Sequence, residues 1–163
     1  MQMTQAAALR PDQPYFGARG ARASSNISGQ PGSEGFAALL AAFRATGGTA
    51  RADDLARLLS DSGDAGGPSL AVLLAEDEVF GLPWLGSLWV PMFQFELRTL
   101  TPLRAPQRVR AELGGLAADG WHGAAWFARA HDALNDSRPV DLLATDLLGV
   151  LAAARADRWV VQG

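Results

Sequence analysis

The chain has 163 residues, 48% of them hydrophobic, which suits one domain or two small halves that share a core. It has no cysteine and no apolar run near the roughly 18 residues of a membrane-spanning helix, so disulfides, cysteine-based metal sites and membrane spans are excluded and a cytoplasmic location is predicted. The formal net charge is −3, and residues 33–100 carry nine acidic side chains against four arginines, a balance that repels duplex DNA.

The first segment, residues 1–32, is punctuated by glycine, proline and serine and shows no apolar period. This composition predicts a disordered or weakly ordered N-terminal tail or, as the alternative, a short arm that docks on a partner. An amphipathic helix is predicted to begin at Ser33 and to end at Gly47-Gly48. Its apolar side chains recur at i, i+3, i+4 and i+7, namely at Phe36, Leu39, Leu40 and Phe43.

Two further helices are predicted next. Thr49 is expected to cap the second helix, with Asp53 and Asp54 in its early turns, where the helix dipole favours acids. Its expected buried face is Leu55, Leu58 and Leu59. After a polar loop over residues 60–67, Pro68 is expected to open the third helix. The apolar residues of that helix are Leu70, Leu73 and Leu74.

Two short segments rich in aromatic and branched residues, 79–84 and 88–95, flank Gly86-Ser87 and predict a two-stranded β-hairpin. Pro83 and Pro91 each lack a backbone donor, so an open side is predicted for both strands. Helix, turn, helix, loop, helix and hairpin is the order of a winged helix-turn-helix, in which the third helix reads DNA. Here that helix offers no Arg, Lys, Asn or Gln to a base, which argues against DNA binding.

The last third of the chain predicts three more helices, giving a mainly α domain of about six helices and one hairpin. Pro102 and Pro106 introduce the first, whose apolar residues are Val109, Leu113 and Leu116. A tryptophan-rich helix is predicted over residues 121–134, and Arg138-Pro139 then restarts the chain as one long helix. The apolar stripe of that helix is Leu143, Leu147, Val150, Leu151 and Ala154.

The sequence carries no enzyme signature, and we expect no catalytic residue, metal site or cofactor. His122 and His131, nine positions apart, would lie on opposite faces of one helix, so they could not share a metal ion within it, and both are predicted to be solvated. The acidic run of residues 76–78 lacks the alternating ligands and central glycine of a calcium loop. A general base with partners is not recognisable either.

One segment has a residue order that points to a known type of molecule. The residues that carry this order are Trp121, Trp126, Leu134, Arg138, Pro139, Asp141, Leu142 and Leu143. A Val-Pro-Met-Phe-Gln-Phe strand over residues 90–95 precedes them. This order, over residues 81–159, resembles the toxin-binding domain of the Xre/MbcA/ParS antitoxins. The resemblance implies a degenerate winged helix-turn-helix over residues 33–100, after the tail of residues 1–32, followed by a helical toxin-binding domain over residues 101–163.

The resemblance also implies a partner: a RES-domain toxin, which consumes or transfers NAD, occluded by the C-terminal region of the antitoxin. A homodimer is a further expectation, and no DNA or membrane partner is predicted. Because the chain ends Val-Val-Gln-Gly, a blocking cation has to be Arg155 or Arg158. The candidate partner-binding residues are Arg138, Pro139, Asp141, Leu142, Arg155, Arg158 and Trp159. The alternatives are a DNA-binding regulator and a stand-alone protein-interaction module.

Overall fold

The computed structural model of the protein describes residues 32–62 and 67–162. The predicted tail, apart from Gly32, and half of the polar loop before Pro68, residues 63–66, lie outside these residues. The helices and strands have the following bounds: α1 Ser33–Phe43, β1 Thr49–Arg51, α2 Ala52–Asp61, α3 Leu70–Ala75, β2 Leu82–Trp84, β3 Ser87–Pro91, β4 Phe95–Glu96, β5 Thr101–Pro102, α4 Arg104–Leu113, α5 Gly120–Ala128, α6 Pro139–Leu142 and α7 Leu147–Gln162. The mainly α class with a small antiparallel sheet is therefore confirmed.

The larger of two small sheets has three antiparallel strands in the order β1-β3-β2, where a two-stranded hairpin was predicted, and β4 pairs with β5 separately. Thr49, expected to cap a helix, instead begins β1 and pairs with Pro91 at the end of the central strand β3. The cause is the turn before it, because Gly47 and Gly48 adopt φ values of 100° and 73° that direct the chain back along β3. The prediction of an open side for both hairpin strands is thus wrong for β3.

Helices α1, α2 and α3 largely follow their sequence patterns. In α2, Asp53 and Asp54 lie in the first turn as predicted, and Leu55 is fully buried. Leu58, predicted to be buried, is 52% exposed. Helix α3 begins at Leu70 instead of Pro68, because the Ser69 side chain accepts a hydrogen bond from the Val72 amide and so caps the helix two residues later.

Two hydrophobic clusters hold these elements together. The smaller lies between the three-stranded sheet, α2 and α3, and its buried residues are Leu55, Leu70, Leu73, Val79, Val90, Met92 and Phe95. The larger joins α1 to α4, α5 and α7 and includes Phe36, Phe43, Phe93, Val109, Phe127 and Leu151. The larger core thus draws side chains from both sides of residue 100.

The C-terminal region differs from its prediction in two places, which raises the number of described helices to seven. Helix α5 ends at Ala128 instead of Leu134, and His131 then pairs with Ser137 across a tight turn in which Asn135 and Asp136 have left-handed backbones. The predicted long helix after Arg138 is broken after α6, where the Asp146 carboxylate accepts a hydrogen bond from the Gly149 amide and starts α7.

Candidate protein-docking surface

Arg138 fixes the turn between α5 and α6. Its Nε and Nη2 donate to the two carboxylate oxygens of Asp141, at 2.7 and 2.9 Å, and its Nη1 donates to the carbonyl oxygen of Ala42 at 2.9 Å. Pro139 is buried and Leu142 is half-buried. These four predicted partner-binding residues lie together, but Arg138 and Asp141 use their charged groups to hold the fold.

The remaining three candidates lie in the last turns of α7. Arg155 donates from Nη2 to Oε1 of Glu112 on α4 at 2.7 Å. Arg158 is exposed and forms no ion pair within the described part of the chain. Trp159 and Val160 are 74% and 81% exposed, a high value for an indole and a branched aliphatic group. This end of α7 therefore presents to solvent large apolar side chains and an arginine without an ion-pair partner among the described residues.

The electrostatics of that end are dominated by arginine. The hydrogen bond from Arg155 is the largest influence on the pKa of Glu112 and lowers it. Burial, the second largest influence, raises this pKa, and the charges of Arg155, Arg158 and Arg108 lower it further, so that the pKa lies below its ordinary value. The same contact raises the pKa of Arg155. Three arginines thus act electrostatically on one carboxylate, and one of them, Arg155, is hydrogen-bonded to it.

The end of α7 is attached to α5 through a buried polar contact that sequence reasoning missed. Asp157 accepts a hydrogen bond from the Trp126 indole at 2.7 Å, and its carboxylate lies 3.4 Å from Nδ1 of His131. Nε2 of His131 donates to the Trp126 carbonyl at 3.1 Å, and its ring packs against the Trp126 indole. The pairing of a tryptophan on α5 with an acid on α7 leaves no spacing signal in the sequence, because 31 residues separate them.

The two histidines do not share a helix, contrary to the prediction. His122 is exposed on α5 and contacts the Asp119 carboxylate, which caps that helix. His131 is 8% exposed and lies beyond the helix end, so the prediction that it is solvated is wrong. The error follows from extending α5 past Ala128. Partial burial is the largest single influence on the pKa of Asp119 and raises it. The hydrogen bonds from the amide and ring of His122 act in the opposite direction and together outweigh burial, so the pKa of Asp119 lies below its ordinary value.

A shallow groove of about 350 Å³ lies beside this contact, between α5 and α7. Its walls include Leu116, Trp126 and Val160, and its polar side chains are Arg129, Asp157 and His122. Apolar walls with a few charged groups at the rim suit the side chain of a protein partner. The groove adjoins the exposed end of α7, so the two form one continuous candidate surface.

The surface of α3 has a different character. Its outward residues are Ala71, Val72 and Ala75, and Glu76 and Asp77 follow at its C-terminal end, all of them exposed. None of these groups can donate a hydrogen bond from its side chain to a base edge or a phosphate. The acidic residues beside this face would repel the phosphate backbone.

Among residues 32–62 and 67–162, no three His, Asp or Glu side chains converge on a point where they could hold a metal ion. Of the helices described above, none combines the length and apolar character needed to cross a membrane. Comparisons of the chain with protein families, with curated proteins and with solved structures found no match.

Proposed function

We propose that this chain is an antitoxin-type protein that docks through its C-terminal helical region on a RES-like, NAD-consuming toxin and neutralises it. The observation that carries the proposal is the end of α7, where Arg158 and Trp159 are both exposed. Arginine and tryptophan are the residue types that concentrate binding energy at interfaces. The order of residues over 121–143 adds the resemblance to the antitoxin family.

The polar groups of the C-terminal region support a docking role over a catalytic one. Arg138 is held by Asp141 and the α1 backbone, and His131 is held by Trp126 beside Asp157. A general base needs a side chain within hydrogen-bond reach of a substrate proton. Here the buried candidate, His131, is already committed to the contact that attaches α7 to α5.

The proposal assigns different roles to the predicted binding residues. Arg138, Pro139 and Asp141 act as positioning residues that order the turn before α6, and Leu142 packs against the larger core. Arg155 is oriented by Glu112. Arg158 is the cation free to meet a carboxylate of the toxin, and Trp159 supplies the apolar anchor beside it. The complementary toxin surface is therefore apolar with an acidic rim.

Co-expression with a RES-domain toxin tests the proposal. The double variant Arg155→Glu with Arg158→Glu is expected to keep its fold, since both side chains are exposed, and to lose neutralisation, so that cells stop growing. Arg98→Glu reverses the charge of one exposed arginine in the β4–β5 turn, away from α7, and is expected to protect the cells fully. Normal growth with the double variant would rule out these arginines as anchors.

A second candidate, a winged helix-turn-helix regulator, is favoured by one observation. The order α1, β1, α2, α3, β2, β3, with β3 between β1 and β2, is the order of elements in that fold. The apolar outer face of α3 argues against contact with DNA, so we infer that this half serves mainly to support the docking region. A gel shift on the gene's own promoter at low salt decides the matter, since a sequence-specific complex would favour the regulator.

A further inference from the structure

His131 is a buried titratable side chain whose proton has no part in the roles described above. It is 8% exposed, lies beyond the end of α5 and packs against the Trp126 indole. The Trp126 carbonyl oxygen lies 3.1 Å from its Nε2, and a carboxylate oxygen of Asp157 lies 3.4 Å from its Nδ1. A carbonyl and an ionised carboxylate can accept a hydrogen bond but cannot donate one. Each ring nitrogen is therefore next to an acceptor.

This arrangement determines how many protons suit the ring. A neutral imidazole has one N–H and one nitrogen lone pair, so either tautomer leaves a lone pair beside an oxygen acceptor. The imidazolium has an N–H on both nitrogens and matches both oxygens. Burial opposes its charge, but the Asp157 carboxylate at 3.4 Å offsets that cost. The doubly protonated ring of His131 is the form that fits this site.

The charged groups around His131 are uneven in their effect. Among the described residues, the carboxylate that contacts the ring is that of Asp157, which also accepts the Trp126 indole N–H at 2.7 Å. The other charged or titratable side chains of the surrounding elements are exposed: His122 and Arg129 on α5, Asp132 and Asp136 in the turn, and Arg155 and Arg158 on α7. Water and salt screen these groups, so the buried contact dominates.

We propose that protonation of His131 controls how firmly the end of α7 is attached to α5. The attached form holds a proton between His131 and Asp157 that the loosened form releases, so the attachment weakens as the pH rises. Histidine changes its charge between about pH 5 and pH 8 in ordinary surroundings, which places the change in the physiological range. Arg158 and Trp159 follow Asp157 on the same helix, so docking should also depend on pH. Only this last consequence rests on the proposed function.

The first test uses the fact that the chain has two histidines. In the full chain with His122→Asn, His131 is the only histidine, and Asp119 keeps its hydrogen bond from the backbone amide at position 122. Nitrogen NMR of the imidazole ring at about pH 7 is expected to show a proton on both ring nitrogens. A folded protein in which only one ring nitrogen carries a proton at that pH would overturn the proposal.

The second test is amide hydrogen exchange of the full chain, which reports the opening of the last turns of α7. After correction for the intrinsic effect of pH, protection of the amides of residues 155–160 is expected to fall at least about fivefold from about pH 6 to about pH 8. The amides of α1 should show no such change, since α1 does not contact His131.

Asp157→Asn keeps an acceptor for the Trp126 indole but removes the charge beside His131, so it should abolish most of this pH dependence. Asp136→Asn is the matched control, because it removes an exposed carboxylate from the turn of His131 and asparagine suits the left-handed backbone there. It should keep the pH dependence. The same pH dependence in Asp157→Asn, with circular dichroism showing an intact fold, would overturn the proposal. If Asp157→Asn does not fold, the ring spectrum still decides. Neither test involves a toxin, so failure of the docking proposal is recognised separately.

Discussion

Arg138 donates two hydrogen bonds to the Asp141 carboxylate, three residues further along, and its third nitrogen reaches the carbonyl oxygen of Ala42 on the first helix. One side chain therefore joins the start of α6 to the end of α1, across 96 residues of sequence. The step Arg-Pro-x-Asp is consistent with this local structure, because Pro139 begins the helix and Asp141 is then in range of the guanidinium.

Replacing Arg138 with lysine should destabilise the protein. An ammonium group cannot make the two-pronged contact with Asp141 and reach Ala42 as well. The free energy of unfolding is expected to fall by about 1–2 kcal/mol, measured by chemical denaturation. Arg129→Lys is the control, since Arg129 is exposed, and should have no measurable effect. Equal stabilities for the two variants would show that the Arg138 contacts contribute little.

The buried amide of Gln94 should be a strong determinant of stability. Its Oε1 accepts from the Phe80 amide at 2.8 Å, and its Nε2 donates to the carbonyl oxygens of Phe80 and Pro91 at 2.9 and 3.0 Å. Gln94→Leu leaves those buried backbone groups unpaired and is expected to lower the free energy of unfolding by about 2–4 kcal/mol. Gln107→Leu, at a half-buried position on α4, should change it by less than about 0.5 kcal/mol. A small effect of Gln94→Leu would mean that water replaces the amide.

Leu85 occupies a position where another residue would be more stable. It is 85% exposed at the tip of the β2–β3 hairpin with a φ of 45°, and Gly86 beside it has a φ of 75°. Asparagine tolerates this backbone better than leucine does. Leu85→Asn is therefore expected to raise the free energy of unfolding by about 0.5–1 kcal/mol, seen as a higher melting temperature. The same substitution at Leu97, which lacks a left-handed backbone, should bring no gain.

The pH dependence of the α4–α7 contact follows from the lowered pKa of Glu112. A carboxyl whose pKa is lower in the folded protein favours folding at pH values above its unfolded pKa, near the ordinary 4.5. That contribution is lost as the pH falls through the folded pKa. Arg155→Gln should move the pKa of Glu112 back towards 4.5, as measured by carboxyl NMR titration, and should flatten the acid side of the stability profile. Arg98→Gln should leave the titration unchanged, and an unshifted Glu112 in Arg155→Gln would contradict the assignment.

Sequence periodicity is sufficient to predict the core helices but insufficient to place their ends. The spacing of Phe36, Leu39 and Phe43 located α1, because a buried stripe on a helix leaves a repeat that can be read directly. The sequence assigns Thr49 to a helix because threonine suits an N-cap. In the structure the three residues of β1 pair with residues of β3 that lie about 40 positions further along the chain, and no local pattern records such pairing.

The C-terminal errors have the same origin. Nothing in the apolar stripe after Pro139 marks the break before α7, since it depends on one carboxylate, Asp146, that bonds to the backbone. The sequence places the candidate partner-binding residues in this segment, but it does not tell which of them keep a free charged group. Whether Arg138 has a free charged group depends on Asp141 and Ala42, and only a folded chain brings Ala42 to Arg138.

Phe36, near the start of the first helix, stacks on Trp84 with ring centroids 4.8 Å apart and meets Trp121 edge-on at 5.9 Å. A fragment that stops at residue 100 would leave this cluster of rings without its cover from the fifth helix and facing water. Truncation is therefore a poor means of assigning separate tasks to the two halves. Single surface substitutions in the intact polypeptide are the appropriate genetic tool.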